Sequence, residues 1–183
     1  MERATRQLQQ TFEVVKTGTG ISCFSESDDS LLMWAHYANN HKGFCVEYEL
    51  LEISKQLQFT PVPVIYSEEK IVVQSLFPES LQESVTEIVV NSLCTKSTDW
   101  SYEKEWRIIR DSNACGDKWD KEKCGALLPM IKPTSIILGC ESTHSFQQVV
   151  EEYCRENKVN LYKMEKDNHL YKLNKKQILS FNT

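Results

Sequence analysis

The chain has 183 residues, 40% apolar and 26% charged, with a formal net charge of -5 at pH 7. This is the composition of an ordinary globular protein with length for one sizeable core, and the negative balance argues against broad attraction to nucleic acid. No apolar run approaches the roughly 18 residues of a membrane-spanning helix, and the opening MERATRQLQQTFEVV lacks the apolar stretch of a signal peptide; the expected location is cytoplasmic, with no membrane partner.

In chain order, residues 1–16 carry Leu8, Phe12 and Val15 at helical spacing. GTGISCFS reads as a turn into a short buried strand over Ile21–Ser25. ESDDS is rich in helix-capping residues, and LLMWAHYANN continues as a helix. That helix is apolar on nearly every side, which predicts that His36 and Tyr37 are taken inside the fold. After Gly43, FCVEYEL alternates as a strand, with Phe44, Val46, Tyr48 and Leu50 on one face. LLEISKQL reads as a short helix, and FTPVPVIYS as an extended piece held at an edge or bend by Pro61 and Pro63. An apolar stripe predicts a helix over 80–93.

WSYEKEWRII then reads as a strand, followed by a polar loop over 111–125. SIILG is a strand, FQQVVEEYCREN a helix, and NLYKM and HLYKL two further strands. The order predicts an α+β (mixed α/β) protein, a single domain over 1–183 with a central, mostly antiparallel or mixed sheet and flanking helices.

Seven cysteines, at 23, 45, 94, 115, 124, 140 and 154, form an odd set without CxxC. Buried reduced thiols are expected. Cys115 and Cys124 flank the polar loop, but their spacing does not match a zinc site. His36 and His41 are five apart rather than four, and no HExxH occurs; no metal site is expected. Ser25 and His36 could form a hydrolase pair, yet there is no GxSxG elbow. GxxxxGK[ST] and GxGxxG are also absent.

Two stretches carry the candidate chemistry. A strand over WSYEKEWRII turns Glu103, Glu105, Arg107 and Ile109 to one face and Tyr102, Lys104, Trp106 and Ile108 to the other. Two neighbouring carboxylates raise each other's pKa, while a guanidinium lowers it. Such a trio can orient a hydroxyl, hold a ribose or stabilise a developing cation. The alternative is a solvated face of complementary charges. On the helix, His36 can shuttle a proton and Tyr37 can contact a ligand; the alternative is a pair of satisfied core residues.

The motifs CFS at 23–25, LMWAHY at 32–37, HKGFC at 41–45 and YEKEWR at 102–107 together resemble a widespread bacterial family of unknown function. The resemblance takes in most of the chain from about Ile21 and brings Trp34 and His41 into the candidate binding set. It implies a further N-terminal region with an Asn-Asp-Pro-type turn before CFS. Only about twenty residues precede CFS here, so the resemblance implies either a shortened member or one that depends on a protein partner.

The order SCFS, then EKE, is also similar to ADP-ribosyltransferases, which place a Ser motif and a later Glu-x-Glu around NAD. That similarity implies Glu105 on the nicotinamide-ribose hydroxyls and Glu103 helping to activate the acceptor. It also implies Ser25 beside the glutamate and Tyr37 stacked on nicotinamide. Three readings follow. The first is a nucleotide-dependent, ADP-ribosyltransferase-like enzyme of a stress or defence system, with Glu105, Glu103 and His36 catalytic and Ser25, Trp34, Tyr37, His41 and Arg107 binding. The second is a non-catalytic module for a small ligand or nucleic acid. The third is an interaction protein with a buried polar network.

Overall fold

A computed structural model describes residue 10 and residues 13–70, 91–127 and 130–181. In chain order the strands and main helices are β1 (Thr19–Ser25), α1 (Leu31–Tyr37), β2 (Phe44–Glu47), α2 (Leu50–Leu57), β3 (Val62–Pro63) and β4 (Ile65–Ser67). They continue with β5 (Thr95–Ser97), β6 (Glu105–Asp111), β7 (Trp119–Asp120), β8 (Gly125–Ala126), β9 (Ser135–Leu138), α3 (His144–Asn157), β10 (Asn160–Lys166) and β11 (Leu173–Leu179). The fold is α+β, with both parallel and antiparallel strand pairs. The chain divides into two compact units, Met1–Phe24 with Thr60–Pro129, and Ser25–Phe59 with Met130–Thr183.

The first unit is built from short pieces. A three-stranded sheet has the order β1-β6-β3, with Val62 opposite Arg107 and Pro63 opposite Trp106 in the antiparallel β3–β6 pair. The amide of Val64, just past β3, donates to the Glu105 carbonyl at 2.8 Å. Strands β4 and β5 pair in parallel and set Tyr66 opposite Lys96. Between β5 and β6 the chain makes a 3-10 turn, Thr98–Glu103, closed by Lys104 in the left-handed region at φ 45°. The β7–β8 hairpin pairs Trp119 with Ala126.

The second unit has a sheet in the order β11-β10-β9-β2, with β9 and β10 parallel and the outer pairs antiparallel. All four residues of β9 are buried, and their alternation feeds two apolar clusters. Ile136 and Leu138 join Val150 and Cys154 of α3 with Val159 and Leu161. Ile137 joins Trp34 and Ala38, at the end of α1, with Met164 and Leu173.

The helices start where the capping residues dictate. Ser30 accepts from the Met33 amide at 3.4 Å, and Thr143 from Phe146 at 3.3 Å. The α3 helix ends at Lys158, left-handed at φ 53°, whose amide returns to the Cys154 carbonyl. Gly139 passes so close to the His41 carbonyl that a Cβ there would collide with it.

Several sequence expectations are corrected. The strand expected to include Glu103 begins only at Glu105, because the 3-10 turn occupies 98–103. FCVEYEL is a strand only to Glu47, and Leu50 already opens α2. The final strand starts at Leu173; residues 169–172 form the turn before it, with Tyr171 fully exposed. In β1, Ile21, Ser22 and Cys23 are exposed, so the strand is not a buried one. On α1 only Trp34 is buried, whereas His36 and Tyr37 are exposed.

Residues 13–18 are helical; the earlier part of the predicted helix over 1–16 lies outside the described residues, apart from residue 10. Most of the predicted helix over 80–93 also lies outside them, and residues 91–93 are helical. Among the described residues no helix is long and apolar enough to cross a membrane.

Leu161 is fully buried between α3 and the sheet. Leu161→Ala is expected to cost about 2–5 kcal/mol in urea unfolding, and Tyr171→Ala no more than about 0.5 kcal/mol. Equal effects would contradict this placement of the core.

Candidate functional site

Glu105 opens β6, and it is only 5% exposed; Glu103, at the end of the 3-10 turn, is 3% exposed. Carboxylates so far removed from water must be paired or protonated. Both Glu105 oxygens are engaged. Arg107, two residues along the same face of β6, donates from Nε to Oε1 at 2.7 Å and from Nη2 to Oε2 at 3.1 Å. This is the two-pronged contact that a planar guanidinium makes with a carboxylate.

Lys96 of β5 closes the cluster. Its ammonium donates to Glu105 Oε2 at 3.1 Å and also to Glu103 Oε2. The two glutamates therefore meet through a shared cation. Arg107 Nη1 also donates to the Leu93 carbonyl. The Glu105 amide donates to the Tyr66 hydroxyl at 2.8 Å, and the Cys23 thiol of β1 donates to the Glu105 carboxylate. Above the ammonium lies the Trp100 ring, 5.1 Å away at its centroid, with Tyr102 beside it at 6.0 Å. That distance is within cation–π range.

These contacts set the protonation states. Burial pushes the Glu105 carboxyl up, but hydrogen bonds from Arg107, Cys23 and Lys96, with the Arg107 charge, bring it down to about 2. Burial likewise pushes the Lys96 ammonium down, and its two glutamates outweigh that, so its pKa is raised. The Cys23 residue is exposed overall, yet its sulfur lies against Glu105. Partial desolvation, followed by the hydrogen bond and charge of Glu105, pushes its thiol up to about 11. At neutral pH the cluster holds an ionised carboxylate and a protonated thiol. Neither is a general base or nucleophile in that state.

The sequence-derived candidates therefore fall into two groups. The structure brings Glu103, Glu105 and Arg107 together in the first unit. Ser25, Trp34, His36, Tyr37 and His41 belong to the second. There Trp34 is a core residue whose indole N–H donates to the Asp28 carbonyl at 2.6 Å. The rings of His36 and Tyr37 meet edge to face at 6.3 Å, and Ser25 Oγ accepts from the Ser27 amide at 3.1 Å.

His41 ends a left-handed run, Asn39, Asn40 and His41, at φ 47°, 52° and 65°. Its carbonyl accepts from Glu141, and its Nδ1 is buried without a partner among the described residues. Sequence reasoning did not single out Lys96, Tyr66 or Cys23 as site residues. Cys23 had a signal within the CFS motif; Lys96 and Tyr66 had none, because their roles depend on the β4–β5 pairing.

The seven cysteines are free thiols; Cys94 and Cys154 are buried, while Cys23 and Cys124 are exposed. The model of a family described as a protein of unknown function (DUF2971) matches residues 33–108. That span includes Glu103, Glu105 and Arg107 and stops short of β9. No curated protein and no solved structure matches the chain.

Two expectations follow. Glu105 has a depressed pKa, so its contribution to stability is complete above its ordinary value of 4.5 and is lost as pH falls towards 2. Glu105→Gln leaves Lys96 and Arg107 without their shared anion and should cost about 3–5 kcal/mol at pH 7, as expected for breaking a buried pair. It should also flatten the acid limb of a stability-against-pH curve measured by denaturant unfolding; an unchanged limb would contradict the ionised state.

For Cys23, the shift from 9.0 to about 11 lowers the thiolate fraction at pH 8 about a hundredfold. Greater intrinsic nucleophilicity recovers about half of that on a logarithmic scale. Alkylation of Cys23 by iodoacetamide, followed by mass spectrometry, should run about tenfold slower than that of a free cysteine and speed up in Glu105→Gln. Reaction at the free-cysteine rate would contradict the contact with Glu105.

Proposed function

We propose that the first unit carries a carboxylate-centred site for cleaving the N-glycosidic bond of a nucleotide, with NAD as the donor substrate and ADP-ribosyl transfer as the reaction. The observation that supports this reading is the buried Glu105 carboxylate, held on both oxygens by Arg107 and Lys96, which favour its ionised form. Heterolysis of the bond from ribose C1′ to nicotinamide leaves positive charge on the sugar, and nicotinamide departs with the electron pair. A fixed anion in a water-poor site stabilises such a charge without needing to reorganise.

A carboxylate with so low a pKa is a poor proton acceptor, so the Glu105 role in this reading is electrostatic. Arg107 and Lys96 keep it ionised and oriented. Glu103, on the far side of the Lys96 ammonium, is the group assigned to the acceptor. The reading draws only on the first unit, and His36, Ser25 and Tyr37 have no step in it.

A second reading has a specific observation in its favour. Both Glu105 oxygens already accept from internal donors, as in a network whose role is to fix β5, the 3-10 turn and β6 against one another.

The two readings separate by experiment. The full chain is incubated with NAD carrying a label on its ADP-ribose part, and nicotinamide release and label transfer to protein or nucleic acid are followed. The transferase reading expects turnover that falls about 10²–10³-fold in Glu105→Gln, the loss typical of removing one transition-state contact. That loss should persist at temperatures where the variant is still folded. Absence of NAD turnover and binding in the unaltered chain would sink it. A lowered melting temperature as the only effect of Glu105→Gln is the result expected of the structural network.

A further inference from the structure

A cleft of about 170 Å³ opens between β1, β6 and the β7–β8 hairpin, on the face of β6 that carries Ile108 rather than Glu105. Cys115 and Cys124 both belong to its lining. We propose that these two thiols are a redox pair, which hydrogen peroxide joins as a disulfide across the cleft. The proposal is independent of the reading of Glu105, because it uses neither that side chain nor any of its partners.

Position comes first. A volume of this order holds a single benzene ring, so groups on its walls are near neighbours. A disulfide needs Cα atoms about 4.4–6.8 Å apart. The helical turn Ser112–Cys115 approaches β8 to within 8 Å, Cα to Cα, and Cys124 is the residue just before β8. The remaining movement falls to Gly116, which follows Cys115 at φ 54° and ψ -133° and where a Cβ would meet nothing within 4 Å. Rotation at a residue without a side chain shifts Cys115 at little steric cost.

Backbone and exposure single out this pair. Cys124 lies in the left-handed region at φ 46°, where Gly or Asn is the usual residue. Turn geometry does not select cysteine there, so its thiol is the feature to be explained. Cys124 is exposed to an oxidant, and Cys115 is half-buried. The Cys124 thiol donates to the Lys121 carbonyl at 3.6 Å, a weak contact that is easily given up. The other five cysteines are less well placed. Cys94 and Cys154 are buried, Cys45 and Cys140 pack against the apolar cluster around Ile137, and the Cys23 thiol donates to Glu105.

Cys124, the more exposed, reacts first. Its thiolate attacks one oxygen of hydrogen peroxide, the O–O bond breaks, and hydroxide leaves to take up the thiol proton as water. Cys124 is then a sulfenic acid. The Cys115 sulfur attacks the Cys124 sulfur, the S–O bond breaks, and a second water leaves with the Cys115 proton. Two thiols are oxidised and one peroxide is reduced to two waters. The bond ties the hairpin to the chain leaving β6 and narrows the cleft, and a thiol reductant reopens it.

The test treats the full chain with hydrogen peroxide, blocks the remaining thiols with N-ethylmaleimide and digests it with trypsin and chymotrypsin, which separate the two cysteines. Mass spectrometry should find the Cys115–Cys124 cross-link at least about tenfold more abundant than any other cysteine pair, given the high effective concentration of groups held in one cleft. Dithiothreitol should remove it. Cys115→Ser should leave Cys124 as a sulfenic acid that dimedone traps, whereas Cys124→Ser should leave Cys115 unoxidised. In guanidinium chloride the preference should disappear; its persistence there would show that closeness in sequence, not the cleft, joins the pair. Other cross-links in comparable yield would overturn the proposal. So would accumulation of Cys124 sulfenic or sulfinic acid in the unaltered chain, or failure of both thiols to react under conditions that oxidise glutathione. The unaltered chain decides the matter even if a variant fails to fold.

Discussion

A carboxylate taken out of water either finds cations and donors or gives up its charge. Glu105 is the point at which the first unit answers that constraint. Its backbone amide is taken by Tyr66, its carbonyl by Val64, and its side chain by Arg107, Lys96 and Cys23. Those partners come from β1, the β3–β4 segment, β5 and β6. Strands of two to seven residues are too short to bury much apolar surface on their own. Here they converge on one charged group, and its pairing ties them together.

The second unit works by a different balance. Fully buried residues such as Ile137, Leu138 and Leu161 are apolar and sit on strands, with α3 packed on one face of the sheet and Trp34 of α1 on the other. Burial of such side chains contributes about 1.5–3 kcal/mol each, and no charge has to be neutralised there to obtain it. Surface ion pairs such as Lys166 with Glu141 and Arg155 with Glu151 decorate this unit. Exposed pairs of that kind contribute little, because water screens them. The contrast with Glu105 is one of dielectric as much as of geometry.

This difference explains what could be read from the sequence. The α+β class, β9, α3 and β10 follow from apolar periodicity, which is local and reports burial directly. Strand alternation correctly pairs Glu105 with Arg107. It also joins Glu103 to them, but through a geometry the chain does not adopt: Glu103 belongs to a 3-10 turn and meets Glu105 through Lys96. Lys96 and Tyr66 lie 9 and 39 residues from Glu105, beyond the reach of any local pattern. The apolar make-up of α1 suggested burial of His36 and Tyr37. The fold takes Trp34 and Ala38 into the core and leaves the other side of this seven-residue helix to solvent.

The account rests on Glu105 being ionised while buried, and its carboxyl carbon reports that state directly. A carbon-13 NMR titration with glutamate labelled at Cδ, and Glu105 assigned by comparison with Glu105→Gln, should show its resonance unchanged from pH 7 down to about 3. The midpoint should come near 2. A midpoint at or above the ordinary value of 4.5 would mean that Arg107, Lys96 and Cys23 do not outweigh burial, and would contradict the account.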